Sequence, residues 1–132
     1  MRGFFCGVCQ VKIIAKDQVG PKAHYSGELM MDASAKALVS IAVLKAKPGQ
    51  RKALKDALLA LVEPTRAEPG NLDYVLFELR DERGTFYMRE AFADQAALDA
   101  HFAMPYFQHF AGIADDLLAE PLQLIFLEQV SA

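Results

Sequence analysis

The chain has 132 residues, enough for one domain with a single core and too few for a second domain of ordinary size. Its composition, with 53% apolar and 23% charged residues, excludes a disordered or low-complexity protein. The net charge of −3 gives no general attraction to phosphate backbones or anionic lipids, and no apolar run approaches the roughly 18 residues of a membrane helix, so we predict no nucleic-acid and no membrane partner.

The first 36 residues differ in charge from the rest of the chain. They carry five basic and three acidic residues, a net charge of +2, so residues 37–132 carry −5. Turn-forming residues dominate this segment, and only residues 11–14 have the composition of a short strand. We predict that residues 1–36 are an extension, flexible or loosely docked, and that residues 37–132 are the folded domain. The alternative is a terminal arm packed on a partner subunit.

The two cysteines, Cys6 and Cys9, both lie in this extension. One such pair supplies only half of a four-ligand zinc site, and no strand and helix flank it as they flank a thioredoxin-type motif. We therefore predict no metal site and no redox site there. A chain otherwise free of cysteine fits a reducing compartment, so we predict a cytoplasmic location.

The folded domain begins with a strand and a helix. Residues 37–47 are apolar at odd and even positions alike, which predicts a strand covered on both faces. After them, Leu54, Leu58 and Leu61 recur at helical spacing and predict an amphipathic helix of about four turns. The Glu-Pro-Gly sequence at residues 68–70 ends this helix.

The middle of the chain predicts a hairpin followed by a second helix. Residues 71–79 and 85–92 have strand composition, and the polar turn at residues 80–84 has a length that joins hairpin strands. Asp94 is a good N-cap for the helix that follows. Pro105 should break or redirect that helix, because proline lacks the N–H that a helix interior needs.

A last strand is predicted at residues 122–130, which completes the order βαββαβ. This order is typical of an α+β, ferredoxin-like fold, a four-stranded antiparallel sheet with both helices on one face. The strands are apolar on both faces, so the face away from the helices must also be covered. A second copy of the chain is the simplest cover, and we predict a homodimer.

Three ordered motifs resemble those of the antibiotic biosynthesis monooxygenase family. They are Pro-Gly-Asn-Leu-x-Tyr at residues 69–74, Phe-Tyr-x-x-Glu-x-Phe at residues 86–92, and Asp-x-x-Ala-Leu-x-x-His-x-x-Met-Pro-x-Phe at residues 94–107. The resemblance spans about residues 37–130 and implies a dimeric α+β barrel of ferredoxin-like subunits. The family includes cofactor-independent oxygenases of quinols and anthrones, haem-degrading enzymes and an isomerase of phosphorylated autoinducer-2.

Particular residues favour one of these activities. Haem-degrading members depend on an asparagine, a tryptophan and a histidine, where this chain has Ala42, Phe92 and Ala111, so we expect no haem degradation. A phosphorylated substrate calls for clustered basic groups, and Arg89 is the only basic residue in the third strand. The resemblance therefore implies a monooxygenase that uses dioxygen and no cofactor to oxidise a small phenolic, quinol or anthrone-type substrate. The alternatives are the isomerase and a non-catalytic dimeric module that binds a small ligand.

His101 and Glu90 are the predicted catalytic residues. His101 borders the apolar stripe of the second helix, where a neutral imidazole can take a phenolic proton and the resulting anion can pass an electron to dioxygen. Glu90 lies on an otherwise apolar strand face, so it must be paired or have a raised pKa, and we predict that it orients His101 or acts as base. The alternatives are a structural histidine bonded to Glu90 or to a backbone carbonyl, and an ion pair between Glu90 and Arg89 of a neighbouring copy.

Five further side chains are predicted to bind the substrate. Tyr74, Tyr106 and His109 supply hydrogen-bonding groups, Phe92 supplies an apolar ring surface, and Arg89 supplies a positive charge. Tyr106 and His109 lie three residues apart on one helical face, which makes them neighbours. Ordinary core packing is the alternative for the aromatic side chains.

Overall fold

The computed structural model describes residues 11–14 and 37–131. Within these residues the chain forms one sheet and three helices. The strands are β1 (Val11–Ile14), β2 (Leu38–Lys45), β3 (Asn71–Glu78), β4 (Thr85–Phe92) and β5 (Leu122–Leu127). The helices are α1 (Arg51–Arg66), α2 (Gln95–Ala103) and α3 (Pro105–Leu117).

The strands lie in the order β1-β5-β2-β4-β3. β2 pairs antiparallel with β4 and β5, β3 pairs antiparallel with β4, and β1 adds in parallel to the outer edge of β5. Strands β2 to β5 therefore form the antiparallel sheet of a ferredoxin-like α+β fold, which confirms the predicted fold class. Residues 11–14 form the predicted short strand, and the rest of the proposed extension lies outside the described residues.

The predicted break in the second helical region lies at Met104. Asp94 caps α2, because its Oδ1 accepts a hydrogen bond from the backbone N–H of Ala97 at 2.9 Å. Met104 has an extended backbone, and Pro105 follows it as the first residue of α3. At that position proline's missing N–H would have no helical partner, and its fixed φ suits the start of a helix.

Three strands are shorter than predicted, and the smallest difference is in β3, which ends at Glu78 instead of residue 79. The first covers Leu38–Lys45 instead of residues 37–47, and the last ends at Leu127 instead of Val130. The ladder between β2 and β5 closes at the pair Val39 and Leu127, and β2 itself begins one residue earlier. The residues after Leu127 therefore have no partner strand in β2 with which to continue the hydrogen-bond ladder.

The helices pack on one face of the sheet and enclose a single apolar core. Each strand of the antiparallel sheet contributes alternate side chains to it, as expected from the two-residue period of a strand. The α1 side chains that enter the core are Leu54, Leu58 and Leu61, which confirms the predicted amphipathic helix. No helix in the described part of the chain has the length and hydropathy needed to cross a membrane.

The opposite face of the sheet carries large apolar side chains, and we call this surface the open face. Ile41 and Val43 of β2 are half-buried there, beside the exposed side chains of Phe77, Tyr87 and Leu127. Phe77 is 47% exposed. The strand register aligns Val43, Tyr87 and Phe77 in one row across three strands, so these side chains form a continuous apolar surface.

Candidate functional site

His101 is at the centre of the candidate site. It lies in the last turn of α2, and only 1% of it is exposed. Its Nδ1 lies 3.0 Å from Oε2 of Glu68, which follows the end of α1. The two residues are 33 positions apart in the chain, so their contact depends on how α2 packs against the turn after α1.

That turn is held in place by its backbone and by close packing. The N–H of Glu68 donates to the carbonyl of Thr65 at 2.9 Å, and the carbonyl of Glu68 accepts from the first residue of β3 at 3.1 Å. Gly70 lies so close to α2 that an added Cβ would overlap the Cβ of Ala97. Because Ala97 lies one helical turn before His101, this approach brings Glu68 within reach of the imidazole.

Glu68 is a site residue that the sequence did not single out. Its Glu-Pro-Gly context is typical of a helix end, and Glu90 is the acid predicted to orient His101. In the structure Glu68 bonds to the imidazole instead. The available signal is the Glu-Pro-Gly-Asn-Leu sequence at residues 68–72, which places an acid directly before the second strand.

The hydroxyl of Tyr106 joins this pair. Tyr106, at the start of α3, donates to the same Glu68 oxygen, Oε2, and lies 3.3 Å from the carbonyl of Pro64. Burial, together with the bond to Glu68, raises the pKa of Tyr106, so the phenol is neutral. Tyr106 is partly exposed. The hydrogen-bonded chain from His101 through Glu68 to Tyr106 therefore runs from the buried imidazole towards the surface.

Four aromatic rings surround the imidazole. The ring centroids of Tyr74, Phe92, Phe102 and Phe107 lie between 5.1 and 5.6 Å from that of His101. Three of these side chains are buried, whereas Phe102 is partly exposed. The rings make the surroundings of the imidazole apolar, and such surfaces pack well against a flat aromatic ligand.

The bond to Glu68 also decides which nitrogen of His101 carries the proton. Burial lowers the pKa of His101, and the neighbouring Glu68 opposes this only in part, so the imidazole is neutral. The Glu68 oxygen accepts from Tyr106 and is the acceptor for His101 as well, which places the imidazole N–H on Nδ1. Nε2 then carries a free lone pair, the form in which histidine acts as a base.

Glu90 is buried beside this group, with 5% exposure, and is paired with Tyr74 across the β3–β4 ladder. Burial raises the pKa of Glu90 to about 8, and the charge of Glu68 adds to the shift. The sequence leaves two states open for this carboxyl, paired or raised in pKa, and its burial favours the second. Oε1 of Glu90 has no hydrogen-bond partner in the described structure. Burial, and to a smaller extent the neighbouring Glu90, also raise the pKa of Tyr74. The carboxyl of Glu90 and the phenol of Tyr74 are therefore both neutral at pH 7.

Arg89 and His109 lie away from the buried cluster. Side chains alternate along a strand, so Arg89 points to the open face. There its Nε donates to Oδ2 of Asp73 at 2.6 Å, and its guanidinium lies 5.4 Å from the ring centroid of Phe77. His109 is exposed on α3. Of the five predicted binding residues, the structure therefore brings the three aromatic ones, and neither of these two, to His101 and Glu68.

A second group of charged residues lies at the β3–β4 hairpin. Glu78 accepts from Arg51 at 2.7 Å and from Arg83 at 3.1 Å, and the bond from Arg51, with that from the N–H of Gly84, holds the pKa of Glu78 at about 2. A surface cavity of about 340 Å³ borders this group and is lined by Glu78, Arg80 and Arg83. Among the described residues its lining has no aromatic side chain, so that lining does not suit a flat ring. In the described part of the chain, no group of three or more histidine, cysteine, aspartate or glutamate side chains is arranged to hold a metal ion.

Comparisons with known proteins identify the family of this chain. A family model described as antibiotic biosynthesis monooxygenase matches residues 37–112. The Bacillus subtilis protein named "Putative monooxygenase YcnE" is 37% identical over 91 residues, which cover 69% of this chain and 96% of that protein. The Synechocystis protein named "Uncharacterized protein sll1783" is 36% identical over 81 residues, which cover 61% of this chain and 55% of that protein. This chain thus spans about half the length of the Synechocystis relative.

A solved structure of a bacterial protein has a similar fold. The crystal structure of PA3566 from Pseudomonas aeruginosa is similar to this one with a TM-score of 0.71 and 36% sequence identity. The similar region covers 74% of this chain and 98% of that chain. Nearly the whole of the Pseudomonas protein is therefore matched by part of this chain.

Proposed function

This chain belongs to the antibiotic biosynthesis monooxygenase family, and on that premise we propose that it is a cofactor-independent monooxygenase that oxidises a small phenolic, quinol or anthrone-type substrate with dioxygen. The observation that carries the proposal is the buried His101–Glu68 pair inside four aromatic rings. An oriented base next to an apolar surface suits a flat substrate that must lose a proton before it reacts.

Proton transfer is the first proposed step. The lone pair on Nε2 of His101 takes the phenolic proton of the substrate, while Nδ1–H stays bonded to Glu68. The carboxylate of Glu68 stabilises the imidazolium that forms, as the acid of a catalytic triad does. Tyr106 donates to the same oxygen and keeps the carboxylate in place.

The substrate anion and dioxygen supply the redox chemistry. The anion passes one electron to dioxygen, and the two radicals combine to form a C–O bond at a ring carbon that bears hydrogen. The imidazolium of His101 returns its proton to the peroxide. The C–H bond of that carbon and the O–O bond then break, the hydrogen leaves with the released hydroxide as water, and the carbon becomes a carbonyl. One oxygen atom enters the product and the other leaves in water. The substrate supplies all four electrons, so no further reductant is consumed.

The proposed route of a substrate to His101 passes the partly exposed members of the cluster. Phe102 is the partly exposed ring among the four that surround the imidazole, and Tyr106 is partly exposed on the neighbouring helix. Both lie next to the extended backbone of Met104, where α2 ends and α3 begins. A local displacement of the chain at Met104 would expose the imidazole of His101 to a substrate without disturbing the sheet.

We also propose that the protein is a homodimer in which the open faces of two copies pack together. The support is the apolar character of that face, where Ile41 and Val43 are half-buried and Phe77 is exposed. The ion pair between Arg89 and Asp73 gives the same surface a polar element that can set the register of two copies. The cytoplasmic location stays a prediction from the cysteine content.

A non-catalytic module that binds a small ligand is the second candidate. The specific observation in its favour is the near-complete enclosure of His101, which is 1% exposed. The isomerase alternative has less support, because Arg89 is engaged with Asp73 on the open face and does not reach the buried cluster. A phosphate group would meet the carboxyl groups of Glu68 and Glu90 there instead.

Native mass spectrometry and oxygen-electrode measurements on one purified sample test the proposal. We expect a dimer whose mass equals that of two chains, and oxygen uptake when a quinol such as 1,4-dihydroxynaphthalene is added. With ¹⁸O₂, one labelled oxygen atom should enter the product and the other should appear in water. Binding of the quinol without oxygen uptake would favour the ligand-binding module, and a bound flavin, haem or metal required for activity would contradict cofactor independence.

A further inference from the structure

Glu90 is a buried ionisable side chain that the proposed proton transfer does not use. It is 5% exposed, and its Oε1 has no hydrogen-bond partner in the described structure. Burial of a carboxyl oxygen without a hydrogen bond destabilises a folded protein, so such atoms are rare in cores. An unpaired buried oxygen calls for an explanation, and a bound molecule that completes the hydrogen bonding supplies one.

The strand register places Glu90 at the aromatic enclosure of His101. Glu90 and Phe92 lie two residues apart on one face of β4, and the ring of Phe92 is 5.1 Å from that of His101. Across the ladder Glu90 is paired with Tyr74, whose ring is 5.5 Å from the same imidazole. Tyr74 and Phe92 are therefore neighbours of both groups, and a flat molecule admitted against these two rings would have the His101 base and the Glu90 carboxyl in the same aromatic enclosure.

The surroundings of Glu90 also define the kind of atom that it can bind. Burial, with a contribution from Glu68, raises the pKa of Glu90 to about 8, so the group is a neutral carboxylic acid at pH 7. A neutral carboxyl has one O–H donor and one carbonyl acceptor. It therefore suits a hydroxyl or carbonyl oxygen, whereas a carboxylate or phosphate would require a basic partner.

We propose that Glu90 is a binding subsite for a second oxygen of the substrate, the first being the hydroxyl that faces Nε2 of His101. The substrate class is then an aromatic compound with two oxygen substituents, such as a hydroquinone or a hydroxyanthrone, and not a simple phenol. The inference rests on the proposed function for the role of the first oxygen. Binding at Glu90 can nevertheless be measured without oxygenation.

A binding role and a structural role make opposite predictions for the free protein. If Glu90 were structural, its replacement by an apolar side chain would lower the melting temperature. If it is a ligand subsite, the replacement removes an unpaired buried group, so the free protein becomes more stable while ligand binding weakens. Glu90→Met tests this, because methionine is of similar length and adapts its shape to the core.

Anaerobic calorimetry with two related probes measures the subsite directly. The probes are 1,4-dihydroxynaphthalene, with two oxygens, and 1-naphthol, with one. We expect the wild-type protein to bind the diol about tenfold or more tightly than the monophenol, the effect of one good hydrogen bond to a buried group. Glu90→Met should abolish this preference and raise the melting temperature. Glu90→Gln, which keeps a donor and an acceptor, should retain the preference.

Met88→Leu is the matched control, because Met88 is buried on the same face of β4, two residues from Glu90. It should keep the preference for the diol. Equal binding of the two probes by the wild-type protein, or an unchanged preference in Glu90→Met, would overturn the subsite. A lower melting temperature of Glu90→Met would assign Glu90 a structural role and would also overturn it. Oxygen uptake by the same samples separates the subsite from the monooxygenase activity. A wild-type protein that prefers the diol but consumes no oxygen would contradict the monooxygenase and leave the subsite in place.

Discussion

Glu68 accepts two hydrogen bonds on one carboxylate oxygen, from the ring of His101 and from the hydroxyl of Tyr106. It has no direct role in the proposed proton transfer and acts through the imidazole. A carboxylate in this position fixes the ring orientation and the tautomer, and it stabilises the imidazolium. The proposed reaction should therefore depend on Glu68 almost as strongly as on His101 itself.

Glu68→Gln tests this positioning role. Glutamine retains the shape but cannot stabilise an imidazolium, so we expect kcat to fall about 100-fold or more with little change in KM. Steady-state oxygen uptake across a range of pH provides the measurement, and the pH profile should shift because the histidine pKa changes. Glu63→Gln, the same substitution at an exposed position of α1, is the control and should behave as the wild type. A KM effect with unchanged kcat would contradict the positioning role.

The pKa of Glu90 leads to a prediction about stability. Between the ordinary carboxyl pKa of 4.5 and about 8, the unfolded chain releases the Glu90 proton whereas the folded protein keeps it. The free energy of unfolding should therefore fall as the pH rises through this interval and level off above it. Glu90→Gln replaces the titrating carboxyl with a neutral amide, so this pH dependence should disappear. The free energy of unfolding that is lost between pH 5 and pH 8 in the wild type is then on the order of a few kcal/mol at most. Urea unfolding at pH 5, 6, 7 and 8 measures it, and parallel curves for the two proteins would refute the assignment.

At the residue scale, the sequence identifies groups whose chemistry is local. A histidine beside an apolar helical stripe and an acid on an apolar strand face are both visible in the chain, and His101 and Glu90 are buried as that pattern predicts. Glu68 is not visible in this way, because its partner lies 33 residues away on another helix. Arg89 adjoins Glu90 in sequence, yet strand alternation places the two side chains on opposite faces of the sheet.

The turn between α1 and β3 is the element that assembles the site. Gly70 leaves no room for a side chain against Ala97 of α2. Its carbonyl also accepts a hydrogen bond from the N–H of Ala93 at 2.8 Å, so the turn is attached to the start of the α2 region. The distance between Glu68 and His101 therefore depends on the close approach of Gly70 to Ala97 and on this hydrogen bond.

Gly70→Ala should separate these two elements. The new methyl group would displace α2, destabilise the protein by about 1–3 kcal/mol and weaken the bond between Glu68 and His101. Adding Ala97→Gly should restore part of the stability, because it removes the opposing methyl group, although glycine alone costs about 1 kcal/mol in a helix. Urea unfolding of the two single variants and the double variant gives the coupling energy. If the change in the free energy of unfolding of the double variant equals the sum of the changes in the two single variants, the contact between Gly70 and Ala97 is unimportant.

At the element scale, local signals were sufficient where one residue dictates the backbone. Asp94 caps α2 and Pro105 starts α3, as predicted from the chemistry of each residue. The end of β5 was predicted too late, because residues 128–130 have strand composition but no partner strand in β2. A strand end depends on its neighbour, and this information is not local to the segment.

The open face is a property of the whole molecule. Its apolar side chains come from strands that are far apart in sequence, and several of them are exposed, Phe77 by 47%. A surface of this kind favours association with a second copy. The order βαββαβ was enough to predict the sheet that creates it, because few arrangements bury four such strands and their helices. The same fold supports many reactions, so the substrate does not follow from the order of elements.

Ile41→Lys should disrupt the proposed dimer. Ile41 lies at the centre of the open face on β2, and a lysine there would place an unpaired charge inside the interface. Light scattering at micromolar concentration should give a dimer for the wild type and a monomer for Ile41→Lys. Ala53→Lys, at an exposed position of α1, adds the same charge away from the face and should remain dimeric. A monomeric wild-type protein would contradict the dimer.

The initial rate of oxygen uptake with 1,4-dihydroxynaphthalene, compared between the wild type and His101→Ala, tests the proposed chemistry most directly. Loss of a general base typically costs 10²–10⁴-fold, so the rate should fall about 100-fold or more. Free imidazole should restore part of it, because the side chain removed from the enclosed site leaves space for the same base. Equal rates in the two proteins, or a loss that imidazole does not restore in a variant that remains folded, would contradict His101 as the base that activates the substrate for dioxygen.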